Sequence, residues 1–233
     1  MKSKKVFEGL QGLQRTSLTE EAATTIRRAI LSGQFEHGQQ LTESRISEGF
    51  NISRAPVREA LQQLMTQGLL VHHPNRGYFL KTFSAKDIEE MSLLRIAIEK
   101  FAIRLAIGRA SNEEIDALEK IVNEMERISV DAPHDSAAAY EADHRFHDLL
   151  CQIAHHDMLR TIWKMMHDQI SVALNSLVNA YEWPADANFA KSHREIIRAL
   201  RGRDVTAAEF AVEKHIADGV AAFREHPNRV AEE

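Results

Sequence analysis

One cysteine, Cys151, is all that 233 residues contain. An intrachain disulfide framework is therefore excluded, and a reducing compartment fits. Long apolar runs are missing as well. The longest weakly charged stretch, Gln169 to Tyr181, is too short and too polar to span a bilayer. The N-terminal MKSKKVFEGLQGLQ is positively charged but has no apolar core of signal-peptide length. These absences read as a cytoplasmic protein with no membrane partner. Wholesale disorder is excluded too, since 44% of the residues are hydrophobic and 27% charged.

Net positive charge is also lacking. The formal balance is −5, which taken whole argues against a nucleic-acid binder. That average conceals two regions. Residues 1–80 hold 10 Lys+Arg and 7 Asp+Glu, a balance of +3, whereas residues 81–233 hold 19 and 27, a balance of −8. Seven of the ten glycines fall in the first region. A basic, turn-rich part followed by an acidic, glycine-poor part suggests a polyanion partner for the first. The expected organisation is a basic tail over 1–15, a first domain over 16–82, a second over 83–226 and a short tail over 227–233.

In the first domain, Leu18, Ala22, Ile26 and Ile30 recur at helical spacing, and Ser32-Gly33 ends that helix. A short helix follows Thr42 and ends near Gly49. The third helix carries the strongest signals. Ser53 is a natural N-cap and Pro56 falls in the first turn, where a missing N–H costs nothing. Val57, Ala60, Leu61 and Leu64 form an apolar stripe, Arg54, Arg58 and Gln62 recur on another face, and Gly68 closes the helix. Leu69-Leu70-Val71 and Tyr78-Phe79-Leu80 flank a turn-rich His72–Gly77, which reads as a β-hairpin. Three helices and a hairpin make a winged helix-turn-helix. Two arginines one turn apart also fit an ordinary solvated face. With the cap, the proline, the hairpin tip at Arg76 and Gly77 and the local charge of +3, the pattern favours double-stranded DNA. Arginine forks match guanine edges and phosphates, and Ser53 stands where a helix N-terminus meets phosphate.

From Leu41 through Ser53-Arg54-Ala55-Pro56-Val57-Arg58-Glu59-Ala60-Leu61-Gln62-Gln63-Leu64 to Gly68-Leu69-Leu70, the chain resembles the GntR family of bacterial transcription regulators. The resemblance extends from about Ala22 to Leu80. The family usually has Pro-Gly where His37-Gly38 stands, and often an arginine at the position of Ser44, whose neighbour here is Arg45. It implies DNA contacts at Arg54 and Arg58, and extends them to Arg45.

After Phe83 the pattern is helical throughout. Ser84 with Asp87 and Ser111 with Glu114 have capping-box spacing. Ile88, Met91, Leu94, Ile98 and Phe101 form the expected inner stripe of the first of these helices. Breaks near Pro133, His155-His156, Pro184 and Asp204 divide the rest, giving a mainly α chain that ends in an all-α bundle of six to seven helices. Nine of the twelve histidines lie here. Asp143 and His147 are i, i+4 on one helix. His193 lies on the stripe of Ile196, Ile197 and Leu200, and His215 flanks that of Val212, Ile216, Val220 and Phe223. Polar groups aimed into a core need partners, and a divalent metal satisfies four at once. By spacing alone, the same residues also read as separate hydrogen-bonded core side chains. Cys151 either borders this pocket or is a small buried apolar residue.

The stretch from about Ser84 to Arg224 resembles the FCD effector domain of the FadR-like branch of the family. Arg95-Ile96-Ala97-Ile98-Glu99, Asp143-His144-Arg145-Phe146-His147, Ser192-His193-Arg194-Glu195-Ile196 and Glu213-Lys214-His215-Ile216 carry the likeness. It implies Asp143, His147, His193 and His215 as ligands of a transition metal such as zinc or nickel. It further implies a small organic acid effector held on the metal and by Arg95, in a homodimeric regulator of a pseudo-palindromic operator. Two rivals remain at this point. One is a metal-free regulator with a larger effector. The other is a zinc-dependent enzyme, against which stands the absence of His-Glu-x-x-His and of a placed general base.

Overall fold

A computed structural model describes residues 18–132, 135–178 and 187–224. The expected tails over 1–15 and 227–233, and the breaks at Pro133 and Pro184, lie outside these residues, as does the side chain of Phe223. The chain divides into two compact units, one ending at Lys81 and the other starting at Thr82.

In the first unit, α1 (Leu18–Leu31), α2 (Glu43–Phe50) and α3 (Arg54–Thr66) accompany three short strands. Strands β2 (Leu70–His73) and β3 (Gly77–Leu80) form the expected hairpin. Strand β1 (Gln40–Leu41) adds to the other side of β3, pairing Gln40 with Phe79 and Leu41 with Tyr78, so the sheet order is β1-β3-β2, antiparallel. Between the hairpin strands, Pro74 precedes Asn75 at φ +63°, and Gly77 opens β3 at φ +86°. Proline presets the first corner of such a turn, and asparagine and glycine tolerate positive φ. Ala22, Ile26 and Ile30 of α1 meet Val57, Ala60, Leu61 and Leu64 of α3 in the core, while Leu18 stays 49% exposed. Helix α2 is closed by Asn51 in the left-handed region, two residues beyond Gly49.

The second unit consists, among the described residues, of α4 (Ala85–Arg109), α5 (Asn112–Asp131), α6 (Ser136–Gln152), α7 (Asp157–Val178), α8 (Ala187–Arg201) and α9 (Val205–Arg224). Both capping boxes form, Ser84 with Asp87 and Ser111 with Glu114. Asp135 caps α6. Helix α4 packs on α6, α7 and α9. That explains one departure from the sequence pattern. Ile88 is buried as expected, but Leu94 and Phe101 are 52% and 45% exposed, and Glu99, Ala102, Ile103 and Ala106 face inward instead. A helix covered on several sides has no single apolar stripe, and small alanines let neighbouring helices approach. Phe146 and Trp163 fill two core clusters, and Cys151 packs with Ala102, Leu159 and Trp163 as a buried apolar residue. Among the described residues, no helix is long and apolar enough to cross a membrane.

Candidate functional site

The burial of Val57, Ala60, Leu61 and Leu64 turns the opposite face of α3 outward, leaving Arg54 and Arg58 exposed. Ser53 is the N-cap in extended backbone, and its hydroxyl makes no capping bond within the chain. Arg58 donates from Nε and Nη2 to the two carboxylate oxygens of Glu43 on α2, each at 2.9 Å. Gln62, one turn further on, accepts a hydrogen bond from the Tyr78 hydroxyl at 3.0 Å, tying α3 to the hairpin. Arg45 is exposed on α2. At the hairpin tip, exposed Arg76 lies over the Phe79 ring, 5.3 Å from its centre. Gln40 donates to the Arg76 carbonyl, fixing the tip to β1.

The bundle brings the other predicted residues together. Asp143 and His147 come from α6, His193 from α8 and His215 from α9. One donor atom from each lies within 4.8 Å of all the others. His193 Nε2 and Asp143 Oδ1 are 3.1 Å apart, and His147 Nε2 and His215 Nε2 are 3.0 Å apart. Asp143 Oδ1 lies 3.4 Å from His147 Nε2 and 3.8 Å from His215 Nε2. An ion about 2.1 Å from each donor spaces neighbouring donors by about 3.0 Å in an octahedral site and about 3.4 Å in a tetrahedral one. The cluster has that size. Three imidazoles and one carboxylate are also a donor set that suits a divalent transition metal.

The remaining ring nitrogens are held from outside. His147 Nδ1 pairs with Glu99 Oε2 at 2.6 Å, and His215 Nδ1 with the Ser192 hydroxyl at 2.9 Å. Such partners fix the tautomer that turns the Nε2 lone pair toward a metal. Arg95 donates from Nε to Glu99 at 2.6 Å, and its Nη2 lies 3.9 Å from Asp143 Oδ2. The predicted effector-binding cation therefore borders the cluster, with its charge already engaged by two carboxylates.

Residues 18–80 match the bacterial regulatory proteins of the gntR family, and residues 90–218 match the FCD domain. The chain belongs to the GntR family. Two GntR-type relatives cover most of it. The HTH-type transcriptional regulator YdhC of Bacillus subtilis is 27% identical over 190 residues, 82% of this chain and 84% of that protein. The galactonate operon transcriptional repressor of Escherichia coli is 27% identical over 234 residues, 89% and 97% of the respective chains. A solved GntR regulator from Rhodococcus shares the fold, with a TM-score of 0.77 at 24% identity over 91% of this chain and 99% of that one. This GntR chain is a DNA-binding transcription regulator and not an enzyme.

The electrostatics of the bundle cluster are strong. Burial opposes ionisation of Asp143, but His147 and His193 outweigh it and hold the carboxyl well below its usual range. Burial and the Arg95 charge depress His147, yet Glu99 and Asp143 raise it overall. Burial, with His193 and His147 beside it, pushes His215 far down and keeps it neutral.

Two participants escape a reading of this GntR sequence. Glu99 belongs to a quoted motif, but its reach to His147 crosses from α4 to α6. Glu43 carries no signal of its pairing with Arg58. His144 projects away from the cluster, stacks on His167 at 3.5 Å between ring centres, and is pushed by burial down to about 4.

Proposed function

We propose that this GntR regulator is a cytoplasmic repressor that binds a pseudo-palindromic operator as a homodimer. Its ligand is a small organic acid bound at a divalent ion, zinc or nickel, held by Asp143, His147, His193 and His215. Residues 16–82 read DNA through Ser53, Arg54, Arg58 and Arg45, with Arg76 and Gly77 on the hairpin, and residues 83–226 sense the ligand. The observation that carries this reading is the convergence of four donors from three helices, three of them buried and His215 partly so, in a chain whose other unit binds DNA. A divalent ion there supplies positive charge and open coordination positions for a carboxylate. Arg95 offers a second cation beside it. Repression and an acidic ligand are further supported by a relative named as the repressor of the galactonate operon, since galactonate is a sugar acid. Effector binding acts by favouring one arrangement of two DNA-reading units over another, to the extent that its affinity for the two differs.

The test is elemental analysis of protein purified without chelator, with a thermal-shift screen of organic acids in the presence and absence of metal. Stoichiometric metal and metal-dependent stabilisation by an acid are expected. Protein devoid of metal that still responds to a ligand supports the metal-free regulator instead. One observation favours that second reading. The close His193–Asp143 and His147–His215 approaches let the cluster satisfy part of its own hydrogen bonding.

Dimerisation is supported by an exposed apolar face. Leu93, Leu94 and Phe101 of α4 and Phe210 of α9 are 63%, 52%, 45% and 65% exposed. Lys100–Glu213 and Arg104–Glu209 pairs join the same two helices. A face with both charge signs paired can meet a second copy of itself without net repulsion, and exposed apolar patches commonly mark interfaces. Phe101→Glu is expected to give monomers in light scattering at micromolar concentration and to weaken operator binding at least tenfold. A variant that remains dimeric places the interface elsewhere.

A further inference from the structure

Among the described residues, Glu43 is the carboxylate that pairs with Arg58 of α3. It is three-quarters buried, at the first position of α2, and accepts both Nε–H and Nη2–H of Arg58 in a parallel fork. The Arg58 side chain itself is 66% exposed. Arg58 first, and Arg54 and His72 more weakly, hold the Glu43 carboxyl below its usual range. A negative charge among DNA-facing cations has a cost, because every nearby phosphate is repelled. Its placement calls for a compensating role.

We propose that Glu43 is a positioning residue that sets which part of DNA Arg58 reads. A guanidinium has five N–H groups in a rigid plane. Two are taken by Glu43, which leaves one on Nη2 and two on Nη1 for DNA and fixes the orientation of that plane relative to α3. A cation held at one angle can meet guanine O6 and N7 together, a geometry that a freely rotating side chain samples only part of the time. The carboxylate also makes the arginine a weaker binder of phosphate in general. Glu43 thus raises the preference for operator over unrelated sequence, at some expense of total attraction to DNA. This inference rests on the reading of α3 as the recognition helix.

The experiment uses the full chain and a duplex selected from a random pool by the wild-type protein, with an unrelated duplex of equal length, at one salt concentration. Glu43→Gln keeps the shape but removes the charge and one acceptor of the fork. Selected-duplex affinity is expected to fall about tenfold, while affinity for the unrelated duplex stays equal or rises. In an Arg58→Ala background the same change is expected to cause no loss of selected-duplex affinity, since Glu43 then has nothing to orient. Thermal melts establish that each variant is folded. Equal losses on both duplexes overturn the inference, because they describe a brace between α2 and α3 with no bearing on sequence choice. Unchanged selectivity overturns it as well, and so does an additive loss in the Arg58→Ala background. If Arg58→Ala alone leaves the selected duplex bound, the recognition-helix reading fails and takes the inference with it. If Arg58→Ala abolishes binding but Glu43→Gln is silent, only the inference on Glu43 fails.

Discussion

Arg58→Ala is expected to lower operator affinity by at least a hundredfold while leaving the melting temperature within a few degrees of wild type. The size follows from three contributions. A bidentate arginine–guanine contact is among the strongest base-reading interactions, and a dimer on a pseudo-palindrome loses it twice. The substitution also leaves the Glu43 carboxylate without its partner on a DNA-facing surface, adding repulsion where attraction had been. The fold is spared because Arg58 is exposed and all four apolar residues of the α3 stripe remain in place. An anisotropy titration at fixed salt checks the result, and unchanged affinity removes Arg58 from the recognition surface. Repeating the titration across salt concentrations adds a further distinction. A phosphate contact, once removed, flattens the salt dependence by about one unit for each site lost, whereas a base contact leaves the slope nearly intact and relaxes sequence preference.

The second large effect is expected from His193→Ala. His193 is fully buried and lies 3.1 Å from Asp143. Its removal takes away one of four donors and leaves the Asp143 carboxylate in the core without one of its principal partners. Bound metal in purified protein is expected to fall from one per chain to a small fraction. The rise in melting temperature on adding zinc or nickel is expected to vanish with it, since an ion that binds only the folded chain stabilises by mass action. Acid has the same direction of effect on the wild type. Imidazoles bind metal only when neutral, so protons compete. His215 is already held neutral, far below its usual value, and presents little competition. His147 is the exception, because Glu99 and Asp143 raise its pKa against burial and the Arg95 charge. Metal affinity therefore falls as pH is lowered through the neutral range, with His147 as the residue that must lose its proton on loading. Affinity measured with a chelator-buffered metal series at several pH values checks this. A pH-independent affinity removes His147 from the ligand set.

These residues differ in how far the sequence alone reveals them. Helix α3 is legible because every signal is local: a cap at Ser53, a proline in the first turn, a four-residue stripe and a closing glycine. The same holds for the capping boxes at Ser84 and Ser111. The bundle cluster is half-legible. Asp143 and His147 share a helix face by spacing, whereas convergence with His193 and His215 depends on how α8 and α9 pack, which periodicity does not encode. Glu99 and Glu43 act across helices on partners 48 and 15 residues away, and although Glu99 stands in the Arg95–Glu99 motif, no local signal announces either pairing. Strand β1 is too short for an alternating pattern. The inner face of α4 is misread for a physical reason, because a helix with neighbours on three sides buries a glutamate and alanines and leaves leucines outside.

A ligand set drawn from α6, α8 and α9, as proposed, has a topological consequence. Residues 50 and 68 positions apart meet at one point, so an ion there acts as a cross-link closing long loops. Asp143, His147 and His193 are buried, and His215 is the partly exposed member of the four. Binding of the proposed ion is therefore expected to be coupled to local opening of these three helices. In the proposed reading such an ion braces the three helices together, while the acid is the signal.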